Sequence, residues 1–351
     1  MSTPMHVVHV NFAKSFRGGE RQTLNLMQEL VSHGITQSLV CRPHGELAQR
    51  ARSAGISLIP VMHPVVGHLG MPPCTLIHVH EARGAYWAGL EALFRNTPYL
   101  ITRRIPNPVS TGIATRSVYR HANAVVAVSA DIALRLQRQI GRPPQVILDG
   151  STQLVVDAHK FEQIKQRCGK GPVIGHIGAL QDHHKGQSVL IAAFQKLAEN
   201  IPDARLLLVG HGPDLPLFKK LSNDDPRIIF AGFQDEVGAW LAAMDLFVFP
   251  SREEGLGSSV LDAMLLGVPV IAAHVGGLPE LIGSNERGWL VSGHDPIVWA
   301  TAMRDALYST EQKQRYIDAG KFFAQSTSNA AMATAYLTIY QQICDRKAAL
   351  T

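Results

Sequence analysis

The sequence predicts an α/β protein of two tandem domains, each a parallel sheet covered by helices on both faces. Three observations predict it. Short β-branched runs alternate with amphipathic helical stretches from His6 to Leu148. The same rhythm restarts at Pro172, after a stretch (Ser151–Gly171) with no obvious strand. A chain of 351 residues, 46% hydrophobic and 17% charged, is long and apolar enough to bury two cores. Strands separated by helices rather than hairpin turns make a parallel sheet the default.

Taken in order, His6–Asn11 (HVVHVN) reads as a buried strand, and Gly18-Gly19-Glu20 precedes a helix with Leu24, Met27 and Val31 at i, i+3, i+7. Further strands are expected at Gln37–Cys41, Ser57–Val61, Leu76–His80, Tyr99–Thr102, Ala124–Val128 and Gln145–Leu148. In the second half they fall at Val173–Ile177, Arg205–Val209, Arg227–Phe230, Leu246–Phe249, Pro269–Ala272 and Gly288–Val291. The helix after Lys185 carries Leu190, Phe194, Leu197 and Ala198 on one face. Beyond the last strand the chain reads as helices only, ending in Ala333–Cys344. The expected domains are 1–155 and 156–329, with a helix of about 330–351 packing back on the first. Two such domains predict a cleft, with ligands at the C-terminal ends of the strands.

Composition excludes several classes. No run approaches the ~18 apolar residues a membrane span needs, and Met1–His6 leads into a strand without a secretory apolar core. Cys41, Cys74, Cys168 and Cys344 are scattered, so neither a disulfide framework nor a structural zinc site is expected, and a cytoplasmic location fits. Residues 1–158 hold 15 Lys+Arg, fourteen of them arginine, against 8 Asp+Glu; residues 159–351 hold 18 against 20. The basic half is either a solvated surface or one that faces an anionic partner, such as a phospholipid surface or a phosphorylated glycan. Nucleic acid is not expected, since no basic run is interleaved with aromatics.

The segment Pro250–Met264 carries the most chemistry. Gly255 and Gly257 lack Cβ atoms, so an anion can approach the amides around Leu256. Ser258 and Ser259 open a helix whose first N–H groups are unpaired and whose dipole adds positive potential, a site for a diphosphate. Glu254 lies before the helix and Asp262 one turn inside it, on the face of Ser258. Carboxylates repel phosphate and suit sugar hydroxyls, so the spacing fits a nucleotide sugar. The bland alternative is a tight glycine turn, a capping serine and a surface acid. No G-x-G-x-x-G fingerprint is present, which argues against an NAD-dependent oxidoreductase.

The segment resembles the signature of retaining glycosyltransferases of family 4, which have the GT-B fold of two Rossmann-like domains: P-S-x-x-E-G-x-G-x-x-x-x-E-A-M-x-x-G-x-P-V. Glu254 stands at the first acidic position and Asp262 at the second, followed by Leu265–Val270 and Val275–Glu280. Other stretches agree in order: Gly18-Gly19-Glu20-Arg21, Val126–Ser129, Val146–Gly150, Lys185-Gly186, Val209–Pro213 and Phe230–Phe233. The resemblance implies that the first domain is the acceptor side and the second the donor side. It implies a donor site of Gly18, Gly19, Gly178, Lys185, Gly212, Phe233, Glu254, Gly255, Leu256, Gly257, Ser258 and Asp262, with Glu254 facing the sugar, Asp262 the ribose and Lys185 the diphosphate. Two positions depart from it. Ala179 stands where members often have an arginine, with His183, His184 or Arg252 as substitutes, and Thr102-Arg103-Arg104 replaces a common histidine. Arg104 is expected at the donor sugar or its phosphate, or else with Arg103 at the acceptor; Glu20, Arg83 and Arg103 complete the acceptor set.

The resemblance implies sugar transfer from a nucleotide-diphospho-sugar, UDP-linked by frequency among relatives, to a glycan or lipid-linked acceptor such as lipopolysaccharide core. Catalysis would fall to Glu254, Lys185 and Arg104, with no cofactor beyond the donor. No D-x-D motif occurs, so no divalent metal is expected, and His78-Val79-His80 lacks further obvious ligands. The alternatives are an epimerase or phosphorylase on the same fold and a catalytically silent binding protein.

Overall fold

The structure, a computed structural model, describes residues 5–62, 66–110 and 112–349; Met1–Pro4 of the N-terminal segment lie outside them. The chain divides into one unit of residues 1–150 with 328–351 and a second of residues 151–327.

The first unit is a parallel sheet of β1 (His6–Asn11), β2 (Thr36–Cys41), β3 (Ser57–Pro60), β4 (Leu76–Val79), β5 (Tyr99–Arg103), β6 (Ala124–Ala127) and β7 (Gln145–Val146). Its order is β3-β2-β1-β4-β5-β6-β7, so the winding reverses between β1 and β4. The strands lack polar alternation because helices cover both faces, and Val7, Val8 and Val10 of β1 have no exposed surface. Local chemistry sets the helix ends. Ser129 caps Ala130–Ile140 by accepting the Ile132 amide at 3.3 Å, and Gly141 closes that helix in the left-handed region.

The helix Gly18–Ser32 buries Gln22, Thr23, Leu26, Met27 and Leu30. Of the expected face only Met27 is fully buried, and Val31 is exposed. The true stripe follows i, i+4, i+8 from Gln22, and Val31 lies one residue, or about 100°, beyond Leu30. The last helix, Asn329–Ala348, belongs to this unit. Its Met332, Ala333, Tyr336, Ile339, Tyr340 and Ile343 pack with Val7, Leu26, Leu30, Leu76, Leu100 and Val126 in one apolar core.

The second unit repeats the architecture with β8 (Val173–Ile177), β9 (Arg205–Val209), β10 (Ile228–Gly232), β11 (Leu246–Phe249), β12 (Val270–Ala273) and β13 (Trp289–Val291). Its order is β10-β9-β8-β11-β12-β13, all parallel, with the reversal between β8 and β11. The helix Gln187–Asn200 buries Leu190, Phe194, Leu197 and Ala198, the face read from the sequence. The stretch expected to lack strands holds the helix Ala158–Cys168, capped by Asp157.

Candidate functional site

Ligands of doubly wound sheets collect beyond the strand ends where the winding reverses. In the second unit that point lies between the segments after β8 and β11. After β11 the chain runs through Pro250–Gly257 into the helix Ser258–Leu265. After β8 it passes through a short turn, Asp182–Lys185, into Gln187–Asn200. The two loops are joined by backbone: the amide of Arg252 donates to the carbonyl of His184 at 2.8 Å.

Lys185 and Glu254 meet there. The Lys185 ammonium donates to Glu254 Oε2 at 2.5 Å and stands 4.9 Å from the centre of the Phe249 ring. The Ser251 hydroxyl approaches the same oxygen at 3.4 Å, and the Gly255 amide donates to Oε1 at 3.2 Å. Both charged groups keep some exposure, 21% for the Lys185 side chain and 14% for Glu254, so a ligand can reach them. Gly255, Leu256 and Gly257 are buried, so Leu256 contributes backbone rather than side chain. Gly257 has φ of +94° and gives no side-chain cap to the helix that follows. That helix presents its positive end, without a capping side chain, beside a cation. The turn is held from behind by Gly276 (φ +55°), where a Cβ would collide with the carbonyl oxygen of Glu254.

Asp262 departs from expectation. It has no exposed surface, and its Oδ1 accepts the Thr152 amide at 2.9 Å. One methylene shorter than Glu, the carboxylate stays inside and ties the helix to residue 152, a contact that the expected ribose hydroxyls would share. Gly178 and Gly212 lie in the loops after β8 and β9. A Cβ on Gly212 would overlap the Leu180 backbone, and one on Gly210 the Gly178 carbonyl, so Gly210 and Gly212 let two loops touch. Phe233 follows Gly232 at the end of β10 and is 57% exposed, free to present a flat face. The proposed substitutes for the missing arginine are already engaged. Arg252 pairs with Asp182 at 3.6 Å, His184 approaches Glu253 at 3.5 Å, and His183 packs against His184.

His176 was missed. It is buried between β8 and β11, donates from Nδ1 to the Val248 carbonyl at 2.9 Å, and lies 3.3 Å from the Gln187 amide nitrogen. Burial pushes its pKa down to about 4, so it is neutral and braces the floor of the site. A lone histidine in a β-branched run, VIGHI, was the available signal.

In the first unit the reversal point holds a buried polar cluster. Arg104 donates from Nε to Asp149 at 2.9 Å and from Nη1 to His80 Nδ1 at 3.1 Å, while its buried Nη2 has no partner among the described residues. Because Arg104 donates, His80 Nδ1 accepts; His80 Nε2 then donates to His9 Nδ1 at 2.9 Å. His78 is held by Tyr340 at 2.6 Å and Thr102 at 2.8 Å. Burial lowers all three histidines, His9 to about 3, so the three rings are neutral. The three rings bring ligand atoms within 4.8 Å of one another. Both nitrogens of His78 are occupied by hydroxyls, however, and Arg104 puts a fixed positive charge alongside, which fits a cation poorly. His78 and His80 are interior braces.

Gly18 and Gly19 open the helix Gly18–Ser32, and Glu20 accepts the Arg17 amide at 2.9 Å. Burial raises the Glu20 pKa, with the Arg17 amide and Arg104 opposing. Gly19 lies against the Arg104 stem. Arg83 is exposed at the start of the helix Ala82–Arg95. Arg103 is buried, donates to the Asn107 carbonyl at 2.5 Å, and lines a cavity of about 290 Å³ with Tyr86, Val109, Thr115 and Tyr119. Arg103 and Arg104 thus meet different surroundings despite adjacency, Arg103 ending β5 and Arg104 lying just beyond it.

Residues 171–309 match the family described as glycosyl transferases group 1. The chain is similar to a 2-deoxystreptamine glucosyltransferase from Streptomyces kanamyceticus, 31% identical over 245 residues, covering 60% of this chain and 62% of that protein. It is similar to the lipopolysaccharide core biosynthesis mannosyltransferase LpsB from Rhizobium meliloti, 31% identical over 200 residues, covering 52% and 54%. The match thus spans about half to three fifths of these relatives' length. Among solved structures, Anabaena Alr3699/HepE in complex with UDP and glucose superposes with a TM-score of 0.81 at 19% identity, covering 96% of this chain and all of that one. The fold is that of the GT-B glycosyltransferases, and residues 171–309 carry the match to the glycosyl transferases group 1.

Proposed function

We propose that the protein is a retaining, metal-independent glycosyltransferase that moves a sugar from a UDP-linked donor to a hydroxyl of a cell-envelope glycan or lipid-linked acceptor, working peripherally at the cytoplasmic face of a membrane. The observation that carries this reading is the Lys185–Glu254 pair at 2.5 Å beside the uncapped start of the helix Ser258–Leu265. A diphosphate there meets one ammonium and the amides of Gly257–Ser259. In the transition state the leaving diphosphate gains charge, and preorganised donors stabilise that change. The same diphosphate oxygen takes the proton of the incoming hydroxyl, so no separate protein base is needed. Glu254 holds Lys185 in place and accepts hydrogen bonds from the transferred sugar. Arg104, whose Nη2 has no partner among the described residues, suits an oxygen of the donor or acceptor. The UDP of HepE and the lipopolysaccharide core of LpsB support the choice of donor and acceptor class.

The test is Lys185→Ala, assayed for turnover and, separately, for binding of nucleoside diphosphate. The expected result is a fall in kcat of about a hundredfold or more, with a much smaller loss of binding. Full turnover by the variant would overturn the assignment. Release of nucleoside diphosphate only when acceptor is present separates transfer from epimerisation.

A further inference from the structure

Arg103 closes β5 and is only 6% exposed. Its guanidinium donates to the Asn107 carbonyl and lies beside the Tyr119 hydroxyl. No carboxylate of the described residues pairs with it. Glu81, close enough to act on Tyr119, accepts the amides of Arg83 and Gly84 at 2.8 and 2.6 Å. A buried guanidinium ordinarily meets a carboxylate, because its charge leaves water at a steep cost. Arg103 meets the cavity of about 290 Å³ instead, where the Tyr86 and Thr115 hydroxyls touch at 2.5 Å. An adjoining cavity of about 200 Å³ shares residues 108–110 and Thr115 with the first and adds Arg116 and Arg138. Both of these arginines are exposed, and neither forms an ion pair among the described residues. No Asp or Glu lines either cavity. The helix Ile113–His121, whose Thr115 borders both, starts at Gly112 without a capping side chain.

We infer that these joined cavities bind a phosphomonoester carried on a sugar, so that the acceptor of the proposed transfer is a phosphorylated saccharide. Charge decides the group. Three guanidiniums without an acid to answer them exceed what one carboxylate neutralises, whereas a phosphomonoester brings about −1.5 to −2 at pH 7. Guanidinium grips phosphate oxygens in a fork, and the uncapped amides at the helix start add further donors. The surroundings decide the carrier. The Tyr86 and Thr115 hydroxyls suit sugar oxygens, and the ring of Tyr86, 42% exposed, offers a flat apolar wall with a polar tip. The volumes suit a phosphorylated monosaccharide unit rather than a longer chain. The inference rests on the sugar-transfer reading for the acceptor's role, while binding is read without donor or transfer.

The experiment is calorimetric titration of the full chain with glucose 6-phosphate, glucose, inorganic phosphate and UDP, in the wild type and in Arg103→Gln, Arg138→Gln and Lys185→Ala. The wild type is expected to bind glucose 6-phosphate with a Kd of about 1 mM or below, tighter than glucose or inorganic phosphate. Arg103→Gln is expected to lose about tenfold or more in that affinity and to keep its affinity for UDP. Arg138 is exposed, so Arg138→Gln keeps a folded readout even if Arg103→Gln does not fold, and a loss of about two- to fivefold is expected. Lys185→Ala is expected to keep glucose 6-phosphate and to weaken UDP. No binding of glucose 6-phosphate, binding no tighter than that of glucose, or binding untouched by both arginine variants overturns the inference. Loss of glucose 6-phosphate in Lys185→Ala also overturns it, since the ligand then sits in the diphosphate site. Inorganic phosphate bound as tightly as glucose 6-phosphate assigns the cavities to free phosphate and overturns the saccharide. UDP binding unchanged in Lys185→Ala counts against the donor site alone and leaves this site standing.

Discussion

Replacing Asp262 separates a structural tie from a ligand contact. The side chain is enclosed, and its Oδ1 accepts the Thr152 amide at 2.9 Å. Asp262→Ala removes a hydrogen bond to a charged acceptor, a loss of about 1.5–3 kcal/mol. For a unit of 151–327, each kcal/mol moves Tm by roughly 2–4 °C, so a drop of about 3–12 °C is expected. Asp262→Asn keeps an acceptor oxygen and should fall by less. The assay pairs thermal unfolding with calorimetric titration of nucleoside diphosphate into the folded variant. The expected loss of affinity is less than about tenfold, under 1.4 kcal/mol. An unchanged Tm with a loss well beyond tenfold would refute the reasoning and restore Asp262 as a ribose ligand.

Other outcomes follow from the same structure. His9 and His176, buried and lowered to about 3 and about 4, stay neutral in the native state but take up protons near 6.5 when unfolded. The unfolded state then binds more protons, so stability is full above about pH 6.5 and falls below it by about 1.4 kcal/mol per pH unit per histidine. Urea unfolding at several pH values measures the slope, and a flat profile between about pH 6.5 and 5 would count against it. Gly276→Ala puts a Cβ at φ +55° against the Glu254 carbonyl; a stability loss of about 1–2 kcal/mol or more is expected, with weakened nucleotide binding. Unaltered binding would mean that the turn does not hold the ligand. Transfer should survive excess EDTA, since no D-x-D motif occurs; activity lost to chelation and restored by Mg²⁺ or Mn²⁺ would reject metal independence.

The fold was legible because its elements are locally consistent. Buried parallel strands read as β-branched runs, and His6–Asn11, Val173–Ile177 and Leu246–Phe249 have the boundaries the runs suggest. Register on helices was harder to read: Val31 and Leu30 are adjacent apolar residues, and only packing decides which faces the core. Lys185 and Glu254 were both named from motifs, and the structure brings them into contact. The enclosure of Asp262 was not legible, because a motif names a residue type and spacing while packing sets burial. The cluster of His9, His80, Arg104 and Asp149 joins residues as far apart as 9 and 149. No local pattern announces such a set. The exposed Leu93 and Phe94 of the helix Ala82–Arg95 escaped notice because only Arg83, Glu91 and Arg95 break its run of apolar and small residues, and neighbours decide which apolar side faces the core.

The most direct measurement is a crystal structure of the protein with nucleoside diphosphate. The account predicts phosphate oxygens within hydrogen-bond reach of Lys185 Nζ and of the amides at Gly257–Ser259, with Glu254 turned toward the space the sugar would fill. Phosphates bound elsewhere, with the Lys185–Glu254 contact unchanged and the turn at Gly257 empty, would contradict it.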